Sequence, residues 1–198
     1  MEKSLFRVMS QPTCPWPGED ALMIDYHDTE WGVPVKDDLK LFEFLVLESA
    51  QAGLSWKTIL HKREGYRRLF ANFDPKRISQ FDATRVEKLL QDPSIIRNRL
   101  KIAATIHNAA RFLEIQQEFG SFSQYMWNFV QHKSIDGKRK TNKDIPAITP
   151  EAEVFAKDLK KRGFKFLGPT VVYAHMQAVG MVNDHLVTCF RHQEVQRE

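Results

Sequence analysis

The sequence has no apolar run of roughly 18 residues, which excludes a membrane-spanning helix. Its start, MEKSLFRVMSQPTCPWPGED, lacks the apolar stretch of a signal peptide. Two cysteines are too few for a disulfide framework and leave a reduced compartment, a metal site or inert thiols. There is no internal repeat and no low-complexity tract. An excess of one charge is also missing: 29 Lys and Arg against 25 Asp and Glu give a net charge of +4, which permits a polyanionic partner without requiring one. What is present is 198 residues, 42% of them hydrophobic and 27% charged, enough to bury a core as one unit over residues 1–198. The expectation is an intracellular globule.

Residues 1–35 are rich in Pro, Gly, Trp and Asp and read as an ordered irregular arm. Pro12, Pro15, Pro17 and Pro34 argue against a long helix there, and nothing alternates like a strand. Helical spacing then dominates. From Asp37 to Gly53 one face carries Leu39, Phe42, Leu45, Val46, Ser49 and Ala50, while Leu41, Phe44 and Leu47 fill the other side. A helix apolar nearly all round is normally buried. Ser55 is placed to cap the next helix, Asp74-Pro75 and Asp82 to start two more, and Ser121-x-x-Gln124 matches a capping box. A long helix is expected over 96–119, with Ile102, Ala103, Ile106, Ala110 and Leu113 as its stripe. Residues 131–148 read as a loop, Thr149-Pro150-Glu151 restarts a helix that ends near Gly163, and Pro169-Thr170 opens one ending near Gly180. The fold class is all-α.

Three groups of residues carry chemistry. The turn Gly163-Phe164-Lys165-Phe166-Leu167-Gly168 joins two helices. Glycines at both ends allow left-handed turn conformations, and the first turn at Pro169-Thr170 would offer free N–H groups to a phosphate oxygen. Lys165 adds charge, and Phe166 and Leu167 are expected to anchor the turn. A Gly-capped helix followed by a tight turn accounts for the same residues without a ligand. Lys160-Lys161-Arg162 and Arg97, Arg99 and Lys101 are basic clusters with the same two readings.

Cys14 and His27 have twelve residues between them, and His185 and Cys189 have three, so that on a helix the second pair shares a face. Cys2His2 is a common structural zinc set. It would tie the irregular arm to the C-terminal segment, with every position filled and none left to activate a water. Two buried thiols and two hydrogen-bonded histidines are the alternative. His61, His107, His132, His175 and His192 have no comparable partner.

Finally, Glu48 sits in the apolar helix, where a carboxylate needs donors or suffers desolvation. Trp16, Tyr26, Trp31 and Trp56 are placed to wall a pocket around it that suits a planar, cationic heterocycle. Ordinary core packing of the aromatics remains the alternative.

Together these residues resemble the 3-methyladenine DNA glycosylase I family. The most specific stretches are YHDTEWGVP (26–34), LFEFLVLESAQAGLSW (41–56) and LKKRGFKFLGPTVVYAHMQAVGMVNDH (159–185), and the likeness runs from Cys14 to Cys189, leaving 1–13 as an unmatched extension. The resemblance implies a helix-hairpin-helix fold with residues 159–180 as the hairpin segment, and a structural zinc on Cys14, His27, His185 and Cys189. It implies release of 3-methyladenine from alkylated double-stranded DNA by hydrolysis of the N-glycosidic bond, with the base flipped out, an abasic site left and no lyase step. It further implies a monomer in the bacterial cytoplasm. Glu48 and Tyr26 take the catalytic roles. Trp56, Trp16 and Trp31 join them around the base, and Gly163, Lys165, Gly168, Thr170 and Leu54 contact DNA, Leu54 as the wedge. Relatives in the wider superfamily place an aspartate in a motif resembling Val-Asp-x-His, where this chain has Asn183. Met23 stands where relatives often have an aromatic, so one pocket wall is expected to differ. A damage binder without turnover, and a metal-stapled interaction module, are the competing readings.

Overall fold

A computed structural model describes residues 11–197 of the chain. Among these residues the chain forms eleven α-helices and one pair of two-residue strands. The helices are α1 (Ala21–Thr29), α2 (Asp38–Gln51), α3 (Trp56–Leu60), α4 (Arg63–Leu69), α5 (Pro75–Ile78) and α6 (Ala83–Gln91), followed by α7 (Arg99–Phe119), α8 (Phe122–Trp127), α9 (Pro150–Lys161), α10 (Pro169–Ala178) and α11 (Phe190–Glu194). No helix among them is long and apolar enough to cross a membrane.

The periodic apolar run from Asp37 becomes the central helix. Every residue of α2 from Leu41 to Ala50 is buried, as expected of a helix apolar on all sides. Helices α7, α8, α10 and α3 pack around it. The Phe42 ring lies 4.9 Å from that of Phe112 in α7, and Phe112 stacks on Phe122 of α8 at 4.2 Å. Each such buried ring contributes roughly 1.5–3 kcal/mol of transfer free energy. The stripe of α7 differs from the expected one. Its buried residues are Ile102, Ala104, Thr105, Asn108, Ala109, Phe112 and Ile115, the face that packs on α5, α8, α2 and α6, and the helix begins at Arg99, capped by Asn98, not at Ile96.

Helix starts follow side-chain chemistry closely. Asp20, Asp37, Ser55, Asp74, Asp82, Asn98, Ser121 and Thr149 each accept a hydrogen bond from an N–H in the first turn that follows. Asp38 serves a neighbour as well, accepting the N–H groups of Phe122 and Ser123 at 2.8 Å and so fixing the start of α8 on α2.

Three readings need correction. The N-terminal arm is not irregular throughout: Asp20 caps α1, which fits between the prolines. The loop at 131–148 contains β1 (Ile135–Asp136), which pairs in parallel with β2 (Val182–Asn183), and the pairing continues as a bridge from Arg139 to Leu186. His185 and Cys189 do not share a helix. They lie in a turn, with Cys189 at the N-cap of α11. The fold class stays mostly helical with this small addition.

Candidate functional site

A cavity of about 390 Å³ opens between α1, α2, α3 and α10. Trp16, Tyr26, Trp31 and Trp56 wall it on one side, and Glu48 lies at its polar end. The rings meet edge-on or tilted, Trp16 to Trp31 at 5.0 Å and Tyr26 to Trp56 at 5.2 Å, which leaves flat faces for a guest. The five pocket residues read from the sequence therefore come together. Gln51, Asn142, Ile145, Ala174 and Gln177 complete the lining and were not foreseen. Gln51 follows Glu48 by one helical turn, and Ala174 and Gln177 follow Thr170 at helical spacing, so periodicity pointed to those three. Asn142 and Ile145 come from the irregular segment, where no pattern exists. Met23 is buried in the core and is not among the lining residues.

Glu48 is 4% exposed, and its Oε2 has no hydrogen-bond partner among the described residues. Burial pushes its carboxyl up to about 8. The Nε1 atoms of Trp16 and Trp56 are buried and unpartnered as well. Burial, reinforced by the charge of Glu48, drives the Tyr26 phenol well above its ordinary range, so it stays neutral. Buried polar atoms without partners are costly, and several around one cavity mark a place prepared for a ligand.

Directly behind Trp31 and Trp16 lies a second cluster. The ligand atoms of Cys14, His27, His185 and Cys189 all fall within 4.8 Å of one another, and all four residues are buried. Cys189 Sγ is 3.6 Å from His27 Nε2 and 3.7 Å from His185 Nδ1, and Cys14 Sγ is 3.7 Å from His185 Nδ1. Zinc bond lengths put neighbouring ligands of a tetrahedron roughly 3.5 Å apart, so the set fits a metal. The outer ring nitrogens are engaged as metal-bound histidines require: His27 Nδ1 meets Asp28 Oδ1 at 2.6 Å, and His185 Nε2 donates to the Trp31 carbonyl at 2.9 Å. That carbonyl bond and the ring contact of Trp31 with His185 at 4.6 Å connect the cluster to the cavity wall.

A third buried group was not visible in the sequence. Arg63 donates two hydrogen bonds to Glu30 and one to Glu43, at 2.7–2.9 Å, locking the end of α1 against α2 and α4. Glu30 belongs to the same short stretch as Tyr26 and His27, so this network also holds the cavity wall.

The hairpin joins α9 and α10 as expected, with differences in detail. Gly163 has φ +88° and Phe166 φ +58°, whereas Gly168 is extended at φ −70°. Phe164 and Leu167 are the buried anchors, and Phe166 points outward at 40% exposure. Lys165 is exposed, but its N–H donates to Asn108 Oδ1, and the Asn108 amide donates back to the Lys165 carbonyl. Of the helices of eight residues or more, α10 alone has no side-chain cap, since Gly168 at its N-cap has no side chain to offer. Leu54 is 41% exposed and shares a shallow cleft with Thr170, beside Glu48 and Gln51. Lys101 donates to the carbonyls of Ala50 and Ala52 at 2.7 Å, holding the turn that carries Leu54. Lys101 is thereby committed internally, as are Arg99 to Glu87 and Arg162 to Glu118 and Asp158.

The sequence model of the methyladenine glycosylase family matches residues 16–192. The chain belongs to that family. It is thus a glycosylase, a hydrolase in class. DNA-3-methyladenine glycosylase 1 of Escherichia coli (strain K12) is 48% identical over 176 residues, 89% of this chain and 94% of the relative. DNA-3-methyladenine glycosylase of Haemophilus influenzae is 46% identical over 89% of this chain and 95% of the relative. A crystal structure of 3-methyladenine DNA glycosylase I superposes with a TM-score of 0.88 at 49% identity, covering 90% of this chain and 98% of that one. The Staphylococcus aureus enzyme, solved for 3-methyladenine recognition, superposes at 0.87 with 38% identity, over 90% of this chain and 95% of that one.

Proposed function

We propose that this methyladenine glycosylase flips 3-methyladenine out of alkylated double-stranded DNA and hydrolyses its N-glycosidic bond, leaving an abasic site without lyase chemistry. The observation that carries the reading is the unpartnered, buried Glu48 oxygen at the end of an aromatic-walled cavity. A purine methylated at N3 is positively charged while attached to the sugar, so Glu48 and the faces of Trp56, Tyr26, Trp16 and Trp31 would bind it by charge and stacking. The same charge weakens the bond to be broken, so water serves as nucleophile without a second carboxylate. Two features support that economy. Asn183 is engaged elsewhere, donating to the His192 carbonyl at 2.9 Å and accepting from the His185 N–H at 3.2 Å. No lysine lines the cavity among the described residues, so none is placed to attack the sugar.

Extrusion costs a few kcal/mol of stacking and pairing, and Leu54 would fill the space that the base vacates. The hairpin would hold the phosphates through the uncapped start of α10 at Gly168 and Thr170, with Gly163 shaping the turn and Lys165 adding charge. Cys14, His27, His185 and Cys189 would hold one zinc ion, whose chemistry is a structural cross-link. The same reading makes the chain a monomer acting on chromosomal DNA in the bacterial cytoplasm.

The test is incubation with methylated duplex DNA and chromatography of the released purines. The expected product is 3-methyladenine without strand cleavage. Metal and DNA binding without base release would instead establish a damage binder.

A further inference from the structure

We propose that Gln177, oriented by the buried carboxylate of Asp184, selects purines with an amino group at position 6 over those with an oxo group. The proposal rests on the base-binding reading of the cavity and extends it to substrate range.

Asp184 is 1% exposed and takes three donors at once. Arg139 Nε donates to Oδ1 at 2.8 Å, while the Tyr173 hydroxyl and Gln177 Nε2 donate to Oδ2, the latter at 2.8 Å. A carboxylate paired with an arginine offers only acceptor positions, so the Gln177 amide must turn its NH2 group towards it. The Oε1 atom is then the free end of that side chain, and no hydrogen bond reaches it among the described residues. Gln177 lines the same cavity as Glu48. Gln177 therefore offers the cavity an acceptor on α10, and Glu48 offers its carboxyl on α2.

The two purines differ in what they present at position 6: adenine carries an NH2 donor with two hydrogens, guanine a carbonyl acceptor. An amino group can give one hydrogen to Glu48 and the other to Gln177. A carbonyl would set its oxygen against the Gln177 oxygen, an opposed pair of acceptors that a binding site built for a hydrogen bond rejects. Asp184 is a positioning residue here. It touches no base, but without it the amide is free to turn over and offer NH2 to a carbonyl.

The test is titration of the purified protein with free 3-methyladenine and free 3-methylguanine, following quenching of the tryptophans that wall the cavity. Wild-type protein should prefer 3-methyladenine. Gln177→Ala should shrink that preference roughly tenfold, the value of one hydrogen bond and one opposed pair of acceptors. Asp184→Asn should shrink it too, and a merely structural role would weaken both bases equally. If Asp184→Asn fails to fold, Gln177→Ala decides alone. An unchanged ratio in folded Gln177→Ala overturns this inference while leaving the proposed function intact. Wild-type protein that binds neither base overturns both.

Discussion

Glu48 carries the sharpest consequence of burial at a single residue. Its carboxyl ionises near pH 4.5 in an unfolded chain and near 8 in the folded one, so the folded state holds the proton more tightly. Below pH 4.5 both states are protonated and nothing is lost. Between 4.5 and 8 stability falls as pH rises, and above 8 the deficit is constant. Glu48→Gln should therefore be more stable than wild type by a few kcal/mol at pH 8, with the gap nearly closed at pH 5, as urea denaturation at the two pH values would show. The variant should also lose discrimination between free 3-methyladenine and adenine. Equal discrimination in the two proteins would remove Glu48 from base recognition. Glu48 was legible in the sequence because an acid inside an apolar helix is conspicuous. Asn142 was not, because an amide in an irregular segment has neither a burial signature nor a period to place it.

Among the elements, the hairpin was readable from its glycines and from Pro169, yet the strain falls differently from the reading. Gly163 holds the left-handed conformation at φ +88°, and a Cβ there would make only ordinary contacts, with the Arg111 side chain at 3.5 Å and the His107 ring at 3.9 Å. Gly163→Ala should therefore cost about 1 kcal/mol through the backbone alone. If the turn grips DNA, its affinity for duplex DNA should fall at least severalfold in a salt-dependent binding assay while affinity for the free base is kept. Equal DNA affinity in both proteins would leave the turn a purely internal connection. Helix α1 and the β1–β2 pair escaped the reading for a different reason. Only Met23, Tyr26 and His27 of α1 are buried, too few for a periodic stripe, and strands of two residues have no period at all. Capping was the most reliable local signal, since Ser55, Asp74, Asp82, Ser121 and Thr149 start helices where their side chains suggested.

Across the whole molecule the Cys2His2 cluster joins the arm before α1, and α1 itself, to the segment after β2, where the Phe190 N–H also donates to the Pro12 carbonyl at 3.0 Å. Its four residues were picked out together in the sequence even though their spacing matches no single-module finger. The turn that brings His185 and Cys189 together replaced the expected helix. Metal analysis of purified protein should find one zinc per chain. Cys189→Ser should lose the metal and lower the melting temperature by roughly 5–15 °C, as expected when a buried ligand of a structural site is removed. An unaltered melting temperature with no metal in the wild type would refute the cross-link. The Arg63 network with Glu30 and Glu43 was equally hidden, since an ion pair between distant residues leaves no periodic trace.

The separation of its residues along the chain also bears on how that cluster closes. Cys14 lies 171 residues ahead of His185, and His27 lies 162 residues ahead of Cys189. Closing a loop of this length costs on the order of 4–5 kcal/mol in chain entropy, so the knot is best tied after the helices have shortened the distance. Trp16, Tyr26 and Trp31 lie along the strand of chain that this closure fixes. With a metal bound, the cluster would make the order of the wall at Trp16 and Trp31 depend on the folding of a segment far along the chain.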